Sequence, residues 1–299
     1  MQISNRVAVA LGNGQPVVAL ESTIISHGLP RPRNHEAALE FEGILEAGGV
    51  TPATIAVLDG VPRIGLDETG IRRIASEEMA KASVRDLPIL AATKRSAATT
   101  VASTSYLANS AGIRVFATGG LGGVHRGANE TFDESADIVT LAQTPITVVS
   151  AGVKSVLDIG ATLERLETLS FPVIGYQTDR FPRFWLRESD AVLDWAVDTA
   201  AEVAQIMKAR DQLGMRQGII LANPIPEELA WDLEEHDRIL EQALREADER
   251  GISGKAVTPF LLLRIVELSD GRSLEVNLDL ARNNVRVASE VAKAWADLE

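Results

Sequence analysis

Cysteine is absent from all 299 residues. That excludes disulfides, thiolate metal sites and a cysteine nucleophile. Histidine is scarce: the four, His27, His35, His125 and His236, share no metal-ligand spacing, which argues against a histidine-rich metal centre. No apolar run approaches the roughly 20 residues that span a bilayer. The short apolar run within residues 1–16 is too brief and too weakly basic at its front for a secretory signal. Positive charge is in deficit, with 29 basic against 42 acidic residues and a formal net charge of −13. A field of that sign disfavours nucleic acid and anionic membrane surfaces as partners. A cytoplasmic location is expected. Aromatics are only 4% of the chain, so Phe181-Pro182-Arg183-Phe184-Trp185 stands out and reads as a cap or apolar wall.

What is present alternates. Apolar, β-rich runs at 17–20, 54–58, 89–92, 114–117, 146–149, 173–176 and 218–222 read as strands. Amphipathic stretches at 34–47 and 161–169, and charged helical stretches at 227–250 and 274–298, lie between or after them. Near-continuous apolar strands separated by helices indicate an α/β fold, with a largely parallel or mixed central sheet and helices on both faces. Residues 1–299 read as one catalytic domain. The charged helices read as solvated faces, with His236 exposed on the first of them.

Three features fall at the carboxyl ends of expected strands, where open α/β sheets place their crevice. Lys154 follows the strand 146–149, with residues 155–159 read as the start of a helix. Packed among apolar neighbours, its amine could lose its charge and attack a sugar carbonyl. Alternatively it reaches solvent, or pairs with Asp158 or Glu164. Glu21 closes the strand 17–20, where desolvation would make it a general acid and a turn acceptor is the plainer role. The glycine-rich run 118–123 (TGGLGG) could bring backbone amides to an anion, or could simply be a tight turn. It is not a dinucleotide fingerprint, nor is 251–256 a P-loop. His27 and His125 adjoin such loops. Asp133 and Asp137 could hold a hard divalent cation, mostly through water, or be solvated. Together these residues point to acid-assisted Schiff-base chemistry on a phosphorylated aldehyde or sugar.

Several blocks in order resemble the pseudouridine-5′-phosphate glycosidase family, which includes the indigoidine-synthase-A-like proteins. They are 21–28 (ESTIISHG), 85–88 (RDLP), 98–102 (ATTVA), 116–127 (FATGGLGGVHRG), 150–155 (SAGVKS), 222–226 (ANPIP) and 254–262. Ala97-Ala98 stands where the family commonly has glycines, Ser150 where it often has cysteine, and 185–201 matches poorly. The resemblance implies reversible cleavage of pseudouridine 5′-phosphate, with water, to uracil and ribose 5-phosphate. It places the Schiff-base lysine on Lys154 and the proton donor on Glu21. Lys81 and the backbone near Val101 would meet the substrate phosphate, and Ser135, Ala136 and Asp137 would line the substrate site. Thr118, His125 and Asn277 would add contacts. Asp133 would hold a divalent metal, usually manganese, and the assembly would be a homotrimer. Another Schiff-base phosphosugar lyase, such as an aldolase, and a phosphosugar sensor without turnover are the alternatives.

Overall fold

The computed structural model describes residues 1–252 and 257–298. Its frame is an 11-stranded sheet. The strands are β1 Gln2–Ile3, β2 Val17–Leu20, β3 Thr51–Leu58, β4 Val61–Ile64, β5 Ala80–Ala82, β6 Ala97–Thr99, β7 Val115–Ala117, β8 Thr147–Ser150, β9 Val173–Tyr176, β10 Ala196–Val197 and β11 Ile219–Ala222. The main path runs β1-β4-β3-β2-β7-β8-β11-β9-β10, and β6 pairs with both β3 and β5 off that path. Among the described pairings, only β3 with β4 and β3 with β6 run antiparallel.

The centre of the sheet is apolar because it is covered. Every residue of β2, β7, β8 and β11 is buried, as expected for parallel strands with elements packed on both faces. One register row crosses six strands: Ala53, Ala19, Phe116, Val148, Ile220 and Val173. Burying a side chain such as Phe116, 0% exposed, contributes about 2–3 kcal/mol. The helix Arg272–Ala296 packs on β2, β7 and β8 and against the helices Arg33–Ala47 and Ala200–Gln212. Its buried stripe, Val276, Leu280, Asn284, Val287 and Val291, keeps the three-to-four spacing of one helical face. Among the described residues, no helix is long and apolar enough to cross a membrane.

Three local expectations are corrected. Residues 89–92 belong to the helix Leu87–Thr93, not to a strand. Leu87 and Leu90 are buried while Ile89 is 60% exposed, a three-residue spacing that a short apolar run cannot distinguish from a strand. The chain after Lys154 does not enter a helix at residue 155. The helix is Ile159–Thr168, and Asp158 caps it by accepting from the Ala161 amide, so Lys154 sits in a loop. The charged stretch 227–250 contains the helix Leu233–Glu249, but His236 is buried on it with Ile239, Leu240, Ala243 and Ala247. The turn motif at 251–256 falls partly outside the described residues.

Candidate active site

Strand register sets the first pair. Leu20 lies beside Ala117, so Glu21 and Thr118 leave the sheet together, and Thr118 Oγ1 donates to Glu21 Oε1. Both residues are buried. Burial pushes the Glu21 carboxyl above the ordinary glutamate pKa; the Lys154 charge and the Thr118 hydrogen bond oppose this only in part. On the next strand, Ala117 lies beside Val149, and the chain beyond β8 brings Lys154 to the same end of the sheet. Lys154 Nζ donates to Gly120 O at 2.7 Å. Burial lowers the Lys154 pKa, Glu21 and Asp137 oppose the fall, and Lys81 adds to it. An acid pushed up beside an amine pushed down favours the uncharged forms of both, which are proton donor and nucleophile.

The glycine-rich run between them is a packed turn. Leu121 N donates to Gly152 O at 2.9 Å, Gly122 N to Asp137 Oδ2 at 2.8 Å and Val124 N to Thr162 Oγ1 at 2.9 Å. Those amides are engaged within the protein and are not offered to an anion. A Cβ at Gly122 would stand 2.2 Å from Ser135 Oγ. Gly152, just before the lysine, has φ +79° and would place a Cβ 2.3 Å from Pro182 O. Asp137 is buried and accepts both Gly122 N and Ala102 N, the latter at 2.9 Å. It therefore ties the turn to the start of the helix Val101–Ser110 while its charge reaches Glu21 and Lys154. Ser135 caps the short helix Ala136–Leu141 and accepts from Asp137 N. Ala136 is exposed at the first position of that helix.

Lys81 lies on β5 with its side chain exposed. Its positive charge reaches Glu21, Lys154, His27 and His125. Nearby, the helix Val101–Ser110 begins without a side-chain cap from Thr100, and the Asp137 carboxylate takes the Ala102 amide of its first turn. His27 and His125 are both held below the usual histidine pKa, by burial first. Asp133 is half-buried, its Oδ2 4.0 Å from His125 Nδ1. Among the described residues, no three His, Cys, Asp or Glu side chains group to hold a metal. A single carboxylate such as Asp133 suits a hard cation that keeps most of its water. Asn277 stands beside Gly119, and its buried Oδ1 has no hydrogen-bond partner.

Other residues of the site escaped the sequence reading. Asn284, 0% exposed, donates from Nδ2 to Thr118 O at 2.8 Å and Gly119 O at 3.2 Å, and accepts from Asn223 Nδ2 at 2.9 Å. The signal was present: Asn277 and Asn284 lie seven apart, two turns along one helical face. Beneath Glu21, Ser22 Oγ and Thr99 Oγ1 both donate to Ile55 O, at 2.7 and 2.6 Å. Ser22 Oγ also accepts from Thr99 N at 2.8 Å. This hydroxyl network joins the ends of β2 and β6. The aromatic cluster at 181–185 is a buried wall, with Phe181, Phe184 and Trp185 all in the core.

A family model described as Indigoidine synthase A like protein matches residues 6–294. The chain is 61% identical over 295 residues to a pseudouridine-5′-phosphate glycosidase of Frankia alni, covering 98% of this chain and 82% of the relative. To a protein of the same name from Caldanaerobacter subterraneus it is 50% identical over 293 residues, covering 98% and 95%. Among solved structures, the prealnumycin C-glycosynthase AlnA in complex with ribulose 5-phosphate superimposes with a TM-score of 0.92. The two are 36% identical, over 99% of this chain and 97% of that one. An indigoidine synthase A-like protein from Thermotoga maritima superimposes with a TM-score of 0.88 at 36% identity, over 95% and 94% of the two chains.

Proposed function

We propose that this chain, which belongs to the Indigoidine synthase A like family, reversibly cleaves the carbon–carbon glycosidic bond of pseudouridine 5′-phosphate, giving uracil and ribose 5-phosphate. The observation that carries this reading is the Glu21–Lys154 pair, held at the same end of the sheet with pKa values displaced toward each other.

The bond dictates the chemistry. A leaving group attached through carbon has no lone pair to protonate, so the ordinary glycosidase route has no exit. Opening the ribose ring supplies one. Lys154 Nζ forms a bond to C1′ as the bond from C1′ to the ring oxygen breaks, and Glu21 gives that oxygen its proton. The carbon–carbon bond then breaks. Its electron pair passes to C5 of uracil, which takes up a proton, while C1′ and Nζ form an imine. Water hydrolyses the imine, releasing ribose 5-phosphate and the free amine. Lys81 and the helix start at Val101 would hold the phosphate against the chain's negative net charge, and Asn277 Oδ1 would accept from a sugar or base donor. A divalent cation, manganese by resemblance, would be held by Asp133 with His125 beside it, and supplies positive charge that orients the phosphosugar. The resemblance also supports a homotrimer, a cytoplasmic location and one catalytic domain over 1–299.

Borohydride reduction in the presence of ribose 5-phosphate, followed by peptide mass spectrometry, tests the reading. A reduced pentose-phosphate adduct on Lys154, with formation of pseudouridine 5′-phosphate when uracil is added, is the expected result. Binding without adduct or turnover would instead identify a phosphosugar sensor.

A further inference from the structure

Lys154 lies in a loop, and a long side chain on a loop attacks well only if the loop is held. One end of its segment is fixed by Phe184 N, which donates to Ala151 O at 2.9 Å. The other end is fixed by a side chain distant in sequence. His236, on the helix Leu233–Glu249, places Nε2 3.2 Å from Ser155 Oγ, and both residues are 1% exposed. His236 Nδ1 is 2.9 Å from Asp237 Oδ1, and that oxygen also accepts from Arg183 Nη2 at 2.6 Å. Asp237 Oδ1 accepts a hydrogen bond from Nδ1–H, so Nε2 of the neutral ring is the acceptor and Ser155 Oγ–H the donor. The rings of Trp185 and Trp231 meet the imidazole edge-on at 5.9 and 5.6 Å, fixing its plane. Arg183 and Phe184 are neighbours, so residues 183–184 anchor both ends of 151–155. The glycosidase mechanism above uses none of the His236 contacts.

We propose that His236 is a positioning residue for Lys154, acting through Ser155. The relay Arg183–Asp237–His236–Ser155 fixes the peptide that follows the nucleophile, and so the direction from which Nζ approaches C1′. The inference rests on Lys154 being the nucleophile. Small displacements of a nucleophile slow bond formation far more than they weaken binding.

The test compares Ser155→Ala, His236→Asn, His236→Gln and the double variant Ser155→Ala/His236→Asn with the parent. The rate of borohydride-trapped adduct on Lys154 and calorimetric affinity for ribose 5-phosphate are measured for each. Losing the hydrogen bond from either side slows trapping about tenfold, with affinity within about twofold. Glutamine places its amide oxygen near the Nε2 position, where it can accept from Ser155 Oγ–H, and restores most of the rate, whereas asparagine reaches only toward Asp237. The double variant is no slower than His236→Asn, as expected for two ends of one interaction. Parental trapping by Ser155→Ala and His236→Asn, a glutamine variant as slow as the asparagine one, or multiplying single effects would each overturn the proposal. A parent that gives no Lys154 adduct would remove the nucleophile and this inference together; an adduct unchanged in the variants would remove the inference alone.

Discussion

Asn284 offers the sharpest test of how the site is held together. Its Nδ2 serves the carbonyls of Thr118 and Gly119, and its Oδ1 receives Asn223 Nδ2, all out of contact with water. Asn284→Ala strands one acceptor, Thr118 O, and one donor, Asn223 Nδ2, while Gly119 O keeps its bond from Ala151 N. A buried polar group left unpaired costs about 1–3 kcal/mol, and the 3.2 Å bond is the weakest of the three. With two groups left unpaired the expected loss is about 2–6 kcal/mol, read as a lower urea midpoint at unchanged slope. Asn284→Asp adds a pH signature. A carboxylate facing two carbonyl oxygens is disfavoured, so its folded pKa rises above the unfolded value of about 3.9. Stability is then retained below that value and lost as pH rises toward the folded pKa, at about 1.4 kcal/mol per pH unit relative to the parent. Urea titrations between pH 5 and 7 measure the slope directly. An alanine variant within about 0.5 kcal/mol of the parent, or an aspartate variant without pH dependence relative to it, would refute the reasoning.

Four further outcomes follow from the same geometry. Lys154→Ala should fold and bind ribose 5-phosphate yet form no reduced adduct and no product; turnover at the parental rate would end the covalent mechanism. Glu21→Gln should lower kcat about 10²–10⁴-fold. Because burial raises the Glu21 pKa, its stability contribution is present below the unfolded pKa and lost as pH rises through the folded one. The glutamine variant should therefore unfold at higher urea than the parent at pH 7 and lose that advantage toward pH 4, and an advantage that grew on acidification would contradict the assignment. Gly152→Ala combines φ +79° with a Cβ 2.3 Å from Pro182 O, so thermal unfolding should show destabilisation of about 2 kcal/mol or more. Asp133→Asn should weaken manganese binding followed by electron paramagnetic resonance, while unchanged binding would move the metal elsewhere.

The parts of this protein legible in its sequence are those governed by local pattern. Continuous apolar runs marked β2, β7, β8, β9 and β11, because strands covered on both faces carry no polar alternation to confuse them. Glu21 and Lys154 were legible as strand-end residues, and the ordered blocks around them carried the family. The short run 89–92 was misread as a strand because four apolar residues fit either period. His236 was misread because charge along its helix hid the stripe with Ile239, Leu240 and Ala243.

The sequence by itself determined the α/β class, the exclusion of thiol chemistry and the candidates for acid and nucleophile, all of which depend on residue type and near neighbours. Tertiary structure alone decided that Thr118 donates to Glu21, that the glycine run is a packed turn, and that Asn284 and His236 hold the site from distant helices. Those facts depend on strand register and on contacts between residues far apart in the chain. Burial then dominated the electrostatics, because excluding water raises the pKa of an acid and lowers that of an amine.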